Sequence, residues 1–450
     1  MSVRVRFAWG PSGDVHIGNV RTVLFNWLFA RHEGGKFIIR IEDTDKENSK
    51  PELFNRMYET LDWLGLDWDE GPDKGGPRGP YLQSERAPHH RELLTKLIGS
   101  GAVYRCYCTR EDVVARGTKT GYDRYCRTHP REEDKPFALR FAVPDGDTVV
   151  RDVLRGDVVT AFDQMQDFVV ARSDGSPTFV LANTADDIAM EITHVIRGTD
   201  LLPAAAQNTL LFRALGAEPP IYAHVPLVLG PDKSRLGARH GAVGTLAYRD
   251  SGFLPEALMN YLALVGWSSG DDQEIFSKDE LVERFTLEGI QESAGVFDVK
   301  KLEWMNQQYI QKLSSDQFAQ RVLEIAPETP VDLLRKVLEL ELIQTRVNTL
   351  LEVPDAIRYL HERPPVEPIA DQPVLEEVAD RLSKLDPWSP EAIKETIQGT
   401  IEELGLHRRK GPKPIFVAIS GSDRALPLFE SIFLIGREEA VARLRLASAP

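Results

Sequence analysis

Gly10, Pro11, Ser12 and Gly13, followed by His16, Ile17, Gly18 and Asn19, give the chain a loop suited to phosphate. Glycines admit a ligand close to the backbone, and the free N–H groups of a helix starting there would face an anion. His16 either donates toward such a ligand or serves as a structural or capping histidine. Glu42, Asp43, Thr44 and Asp45 form a second polar group, directly after an apolar run. Lys233, Arg235, Arg239 and His240 form a third, on the glycine-bearing segment GPDKSRLGARHGA at 230–242. A basic loop of this kind suits polyphosphate charge, or else is a solvated surface loop. Cys106, Cys108 and Cys126, with Tyr122 or His129 as a fourth ligand, fit a zinc knuckle. Three reduced thiols are the other reading, and an odd cysteine count confined to one window argues against a disulfide framework.

An open α/β sheet would position these groups. Val3, Val5 and Phe7 alternate with Arg4 and Arg6 as in a half-buried strand, and Val20, Val23, Leu24, Trp27 and Leu28 follow helical spacing. The first loop therefore joins a strand to a helix. The run FIIRI at 37–41 reads as a strand buried on both faces, which puts Glu42 at a carboxyl edge where ligands bind. Asp45 or Thr44 could instead cap a helix starting near Pro51, whereas Glu42 is in register with the strand. A Pro/Gly loop at 70–80 precedes a helix near 86–99. Short strand-like runs at 137–143 and 167–171 alternate with turns. Sheet character returns at 178–183 and 192–197, then a helix at 203–215 and a strand near 221–229 complete a second α/β half.

Beyond residue 253 the chain reads as helical, with apolar faces at Ala257, Leu258, Tyr261, Leu262 and Val265 and again over 333–351. Residues 363–373 read as a hinge, and His407, Arg408, Arg409 and Lys410 as an RNA face or a solvated helix end. At 450 residues, with 42% hydrophobic and 27% charged residues, the chain has room for about two to four domains. No apolar run is long enough for a bilayer and no signal core opens the sequence, so a cytoplasmic, membrane-free protein is expected. A net charge of −15 gives no broad nucleic-acid footprint, and any RNA contact would use local basic faces.

Several blocks, taken together, resemble bacterial glutamyl-tRNA synthetases, class I enzymes of the glutamyl/glutaminyl group. They are HIGN with VRTVLFNWLFAR at 16–31, GGKFIIRIEDTD at 34–45, WLGLDWDEGP at 63–72 and SDGSPTFVLANTADD at 173–187. THVIRGTD at 193–200, FLPEALMNYLALVGWS at 253–268 and VFDVKKLEWMN at 296–306 continue in the family's order. The resemblance implies an α/β Rossmann-like catalytic domain with an α+β insertion, followed by a mainly α-helical C-terminal half. Its divisions would be 1–102 and 174–235 for the two catalytic halves, and 103–173 for an acceptor-binding insertion with the zinc knuckle. Stem contacts would fall to 236–315, which holds most of a mobile signature loop, and anticodon binding to 316–450 as two subdomains hinged near 363–373.

The resemblance also implies a reaction. Glutamate attacks the α-phosphorus of Mg2+–ATP, and the glutamyl group then passes from the adenylate to the terminal adenosine of tRNA, largely through positioning and charge stabilisation. Arg6, Ala8, Glu42, Phe179, Asn183 and Arg197 match the glutamate pocket; Ser12, His16, Gly18, Asn19 and Leu236 match the ATP site. His16, Gly18, Lys233 and Arg239 match the catalytic positions, and one structural Zn2+ would bind Cys106, Cys108, Cys126 and Tyr122, with His129 as the alternative. A monomer charging a glutamate-type tRNA is expected.

The chain departs from the family at three places. WGPSG at 9–13 stands where PSPTG is usual, Phe179 where a tyrosine hydroxyl is usual, and RLGAR at 235–239 where KLSKR is usual. Two readings follow: a working glutamate–tRNA ligase with an unusual activation loop, or a diverged paralogue acting in tRNA binding, in regulation or on another acyl substrate. A helical tail disfavours both a glutaminyl enzyme, whose tail is β-barrels, and the base-modifying relatives, which lack one.

Overall fold

The alternating N-terminal residues form strand β1 (Arg4–Trp9), which runs into helix α1 (Ile17–His32) and parallel strand β2 (Lys36–Ile41). The computed structural model describes residues 2–11, 13–44, 50–116, 121–130, 132, 134–236, 244–365, 367–369, 373–422 and 425–448. Phe37, Ile38, Ile39 and Ile41 are fully buried, as a strand covered on both faces requires. Each such side chain contributes about 1.5–3 kcal/mol by leaving water. Helix α1 is buried on nearly every side, from Ile17 through Ala30, and thus fixes the loop before it.

Helices α2 (Pro51–Trp63) and α3 (Ala87–Gly99) each carry proline in the first turn, where a missing N–H costs nothing. Strand β3 (Val103–Cys106) leads to short helices α4 (Arg110–Ala115) and α5 (Tyr125–Thr128). It pairs antiparallel with β4 (Ala138–Phe141), which also pairs with β7 (Phe168–Ala171). Between those two strands lie β5 (Thr148–Asp152) and β6 (Gly156–Thr160), an antiparallel hairpin. That hairpin belongs to a different sheet, because β5 pairs parallel with a strand of the second α/β half.

The segment 178–183, expected as sheet, is instead the start of helix α6 (Phe179–Ala189). Its β-branched and aromatic opening favours a strand locally, but burial of Leu181, Ala182 and Ala185 on a helical face overrides that preference. The helix places Phe179, Asn183 and Asp187 four residues apart on one stripe. Buried Asp186 ties the same helix to its neighbours, accepting from Arg86 at 2.5 Å and meeting His90 Nε2 at 2.8 Å. Strand β8 (His194–Gly198), helix α7 (Leu202–Ala214) and strand β9 (Ile221–Val225) follow as expected, giving a sheet ordered β6-β5-β9-β8. Arg4 of β1 bonds Thr193, just ahead of β8, through 3.0 and 2.9 Å contacts.

The chain divides into two compact units, residues 1–247 with 258–298, and residues 248–257 with 299–450. The second is helical, from Val299–Lys312 through Arg437–Ser448, around buried Phe318, Val322, Leu334, Val337, Leu382, Ile393 and Leu444. The apolar stretch over 333–351 is not one helix: Val331–Glu339 ends there, Glu341 has φ 52°, and turns lead to Leu350–Glu352. Parts of the expected hinge, residues 366 and 370–372, lie outside the described residues. Among the described residues no helix is long and apolar enough to cross a membrane.

Candidate active site

Helix α1 is capped by His16 itself, whose Nδ1 accepts from the backbone N–H of Gly18 at 3.1 Å and of Asn19 at 3.3 Å. An accepting Nδ1 leaves the proton on Nε2, so the neutral ring keeps a donor for a ligand. His16 is exposed at the surface, yet partial desolvation by its surroundings, and then the charge of Arg235, lower this imidazole below its ordinary pKa and favour that neutral form. The two roles open to His16 are therefore compatible, one for each ring nitrogen. Gly18 gives the ring room, since a Cβ there would lie 3.1 Å from it and the imidazole would have to shift by a few tenths of an ångström.

His16, Gly18, Asn19 and Leu236 line a cavity of about 280 Å³, together with Arg21, Arg197, Asp200 and Arg235. Arg235 reaches Asp200 at 3.5 Å. Arg21, buried in α1, donates to the carbonyls of Val265 at 3.1 Å and of Pro226, and pairs with no carboxylate among the described residues. Burial lowers its pKa to about 10, and its charge adds to the positive field of the cavity.

A second cavity, of about 400 Å³, is lined by Arg6, Ala8, Gly10, Glu42, Phe179, Asn183 and Arg197. Arg6, Ala8, Arg197 and Leu201 border both cavities. Asn183 donates to Glu42 Oε1 at 2.8 Å, and Arg40 donates to the same oxygen at 3.0 Å and to Asp187 at 2.6 Å. Asp187 in turn accepts from Arg6 Nε at 3.2 Å. Burial alone would raise the Asp187 pKa, but Arg6 and Arg40 outweigh it and hold the carboxyl below its ordinary range. Alternating charges Glu42, Arg40, Asp187 and Arg6 thus form one buried chain, with both ends on the cavity wall.

Residues 2–304 match the family described as tRNA synthetases class I (E and Q), catalytic domain, and residues 300–448 match an anticodon binding domain. The chain belongs to the class I tRNA synthetases of the E and Q type. A glutamate–tRNA ligase of Dehalococcoides mccartyi (strain ATCC BAA-2100 / JCM 16839 / KCTC 5957 / BAV1) is 40% identical over 473 residues, covering 99% of this chain and 97% of that protein. One from Moorella thermoacetica (strain ATCC 39073 / JCM 9320) is 39% identical over 481 residues, covering 99% and 98%. The crystal structure of a glutamate tRNA ligase from Elizabethkingia meningosepticum CCUG26117 in complex with its amino acid aligns with a TM-score of 0.90 at 32% identity, covering 100% of this chain and 99% of that one.

Within this family frame, Lys233 stands apart from both cavities, exposed in a turn with φ 62°. Ser12 and Arg239, with Gly237, Ala238 and His240, lie outside the described residues, as does Asp45. Thr44 does not cap α2, whose N-cap is Lys50, and its hydroxyl donates to Gln83 Oε1 at 3.4 Å; Asp43 accepts from the Ser84 backbone at 2.8 Å and hydroxyl at 2.6 Å. Arg40, Asp187 and Arg21 are not legible as site residues in the sequence, because their signal, a charge inside an apolar run such as FIIRI, marks burial without naming its partner.

The ligand atoms of Cys106, Cys108 and Cys126 all lie within 4.8 Å of one another. Cys108 and Cys126 sulfurs are 3.3 Å apart, and the Tyr122 hydroxyl is 3.4 Å from Cys106 Sγ. His129 is turned elsewhere: its ring stacks on Tyr125 at 4.4 Å, and Nδ1 meets the Thr128 hydroxyl at 2.9 Å. Burial raises the Cys108 thiol to about 11. For Cys126 burial acts the same way, but hydrogen bonds led by Tyr122 hold it below its ordinary value. Three converging thiols with a phenol alongside suit a tetrahedral thiophilic ion.

Proposed function

We propose that this chain is a glutamate–tRNA ligase, activating glutamate with Mg2+–ATP and passing the glutamyl group to the 3′ end of a glutamate-type tRNA. The observation that carries this reading is the common wall: His16, Gly18, Asn19 and Leu236 of the ATP set line one cavity, the glutamate set lines the other, and Arg6, Ala8 and Arg197 border both. A carboxylate held there would face the α-phosphate of a nucleotide in the neighbouring cavity. Glu42 takes the α-ammonium, Arg6 and Arg197 take carboxylate charge, and the His16 Nε2–H donates toward phosphate. The glutamate oxygen bonds to the α-phosphorus as pyrophosphate leaves; a terminal hydroxyl of tRNA then attacks the acyl carbon and releases AMP. Lys233, which stands apart from both cavities, and Arg239 would supply loop charge only with a shift of the loop, where Ala238 carries none.

The helical residues 300–448, matched to an anticodon binding domain, support tRNA as partner. The division at 1–102, 103–173, 174–235, 236–315 and 316–450 belongs to the same reading, as do a monomeric state and a cytoplasmic location. Zn2+ held by Cys106, Cys108, Cys126 and Tyr122 would join the end of β3 to α5 as a structural tie.

tRNA-dependent ATP–pyrophosphate exchange with glutamate, run beside charging of tRNA, tests the assignment. Exchange with glutamate is expected. Binding of tRNA with no exchange for any amino acid would favour the diverged paralogue, the reading to which Gly10, Phe179 and Ala238 lend weight.

A further inference from the structure

Arg197 is 5% exposed and forms no ion pair among the described residues. A buried guanidinium without a carboxylate must be aimed by neutral acceptors. Nη2 donates to the Leu201 carbonyl at 3.1 Å and to Asn208 Oδ1 at 3.4 Å, while Nε donates to His224 Nε2 at 3.1 Å. His224 is set there by sheet register, directly opposite Arg197 in the parallel β8–β9 ladder. Its ring stacks on Tyr222 with centroids 5.4 Å apart.

The far side of the imidazole meets Asp152 at the end of β5. Asp152 Oδ2 lies 2.6 Å from His224 Nδ1 and accepts the His224 backbone N–H at 3.1 Å; Oδ1 accepts from Leu154 and Arg155 at 2.9 and 3.1 Å. A carboxylate so surrounded by donors can only accept, so Nδ1 carries the proton and Nε2 presents its lone pair. Burial keeps the ring below its ordinary pKa.

We propose that His224 is a positioning residue that aims the remaining guanidinium edge of Arg197 into the amino-acid cavity, with Asp152 selecting the required tautomer. The inference rests on the reading of Arg197 as a carboxylate-binding residue.

Steady-state tRNA-dependent exchange on the full-length protein tests it. His224→Phe removes the acceptor and should raise the glutamate KM about tenfold or more, with the ATP KM and kcat each changed less than about threefold. His224→Gln, which restores an acceptor at reach, should recover most of that loss. His224→Asn satisfies Asp152 but falls short of Arg197, and should behave like His224→Phe; this pair decides the matter if the phenylalanine variant fails to fold. Arg197→Ala should raise the glutamate KM at least as much. An unchanged glutamate KM in Arg197→Ala would overturn the cavity assignment and this inference with it. A raised value there, with His224→Asn and His224→Gln equal to each other or with ATP and glutamate KM rising together, would overturn the positioning role alone.

Discussion

Asn183 and Glu42, 141 residues apart in sequence, are joined by a 2.8 Å hydrogen bond from the amide of one to Oε1 of the other. Arg40 donates to the same oxygen, so Glu42 is held from a strand and a helix at once. Asn183→Ala leaves only the Arg40 tether. It should raise the glutamate KM about tenfold while leaving thermal unfolding within a few degrees of the parent. An unchanged KM would mean that Arg40 alone orients Glu42.

Asp187→Asn should act mainly on stability. It removes the carboxylate from between buried Arg6 and Arg40, and breaking a buried charge set in this way costs about 3–5 kcal/mol. Urea denaturation measures the loss. A change under about 1 kcal/mol would show that water or neighbouring acids compensate both arginines.

The His16 cap should be sensitive to mild acid. Its folded pKa lies below the ordinary 6.5, so the unfolded chain binds the proton more readily, and the cap's contribution is complete above about 6.5 and lost as pH falls through the folded value. Imidazole nitrogen NMR should report a titration midpoint under 6.5 and an unprotonated Nδ1 at neutral pH. The Gly18 and Asn19 amides should shift with the same midpoint. A midpoint above 6.5 would refute the cap as the resting form.

Zinc content should follow the cysteines and ignore His129. Cys106→Ser should lose the metal, Tyr122→Phe should bind it less tightly, and His129→Ala should keep a full complement. Chelation should lower the melting temperature, as expected when metal binding is coupled to folding. Undiminished zinc in Cys106→Ser would rule the site out.

Ala238→Lys should speed glutamate-dependent exchange. One preorganised donor to transferring phosphate is worth on the order of 3 kcal/mol, about a hundredfold in rate, so even partial recovery is measurable. No acceleration would mean that other cations have taken over the charge of this loop.

The parts of the site that announce themselves locally are legible in the sequence. Alternation in β1 and the apolar run of β2 are strong periodic signals, and they placed Arg6, Glu42 and His16 on the right elements. Residues 178–183 are not legible in this way, because TFVLAN has strand propensity while tertiary burial winds it into α6. Only the helix explains why Asn183 and Asp187 share a face. His224 and Asp152 were invisible for a different reason: their meaning depends on the β8–β9 register and on the β5 pairing, neither of which leaves a mark in composition or spacing.

The β5–β6 hairpin lies within 103–173, yet its last residue in β5, Asp152, grips the histidine that holds Arg197. A graft of that block from a relative, cut at its two ends, would carry over this hairpin as well. The recipient would inherit the donor's support for Arg197, so engineered hybrids need a junction that leaves the hairpin behind.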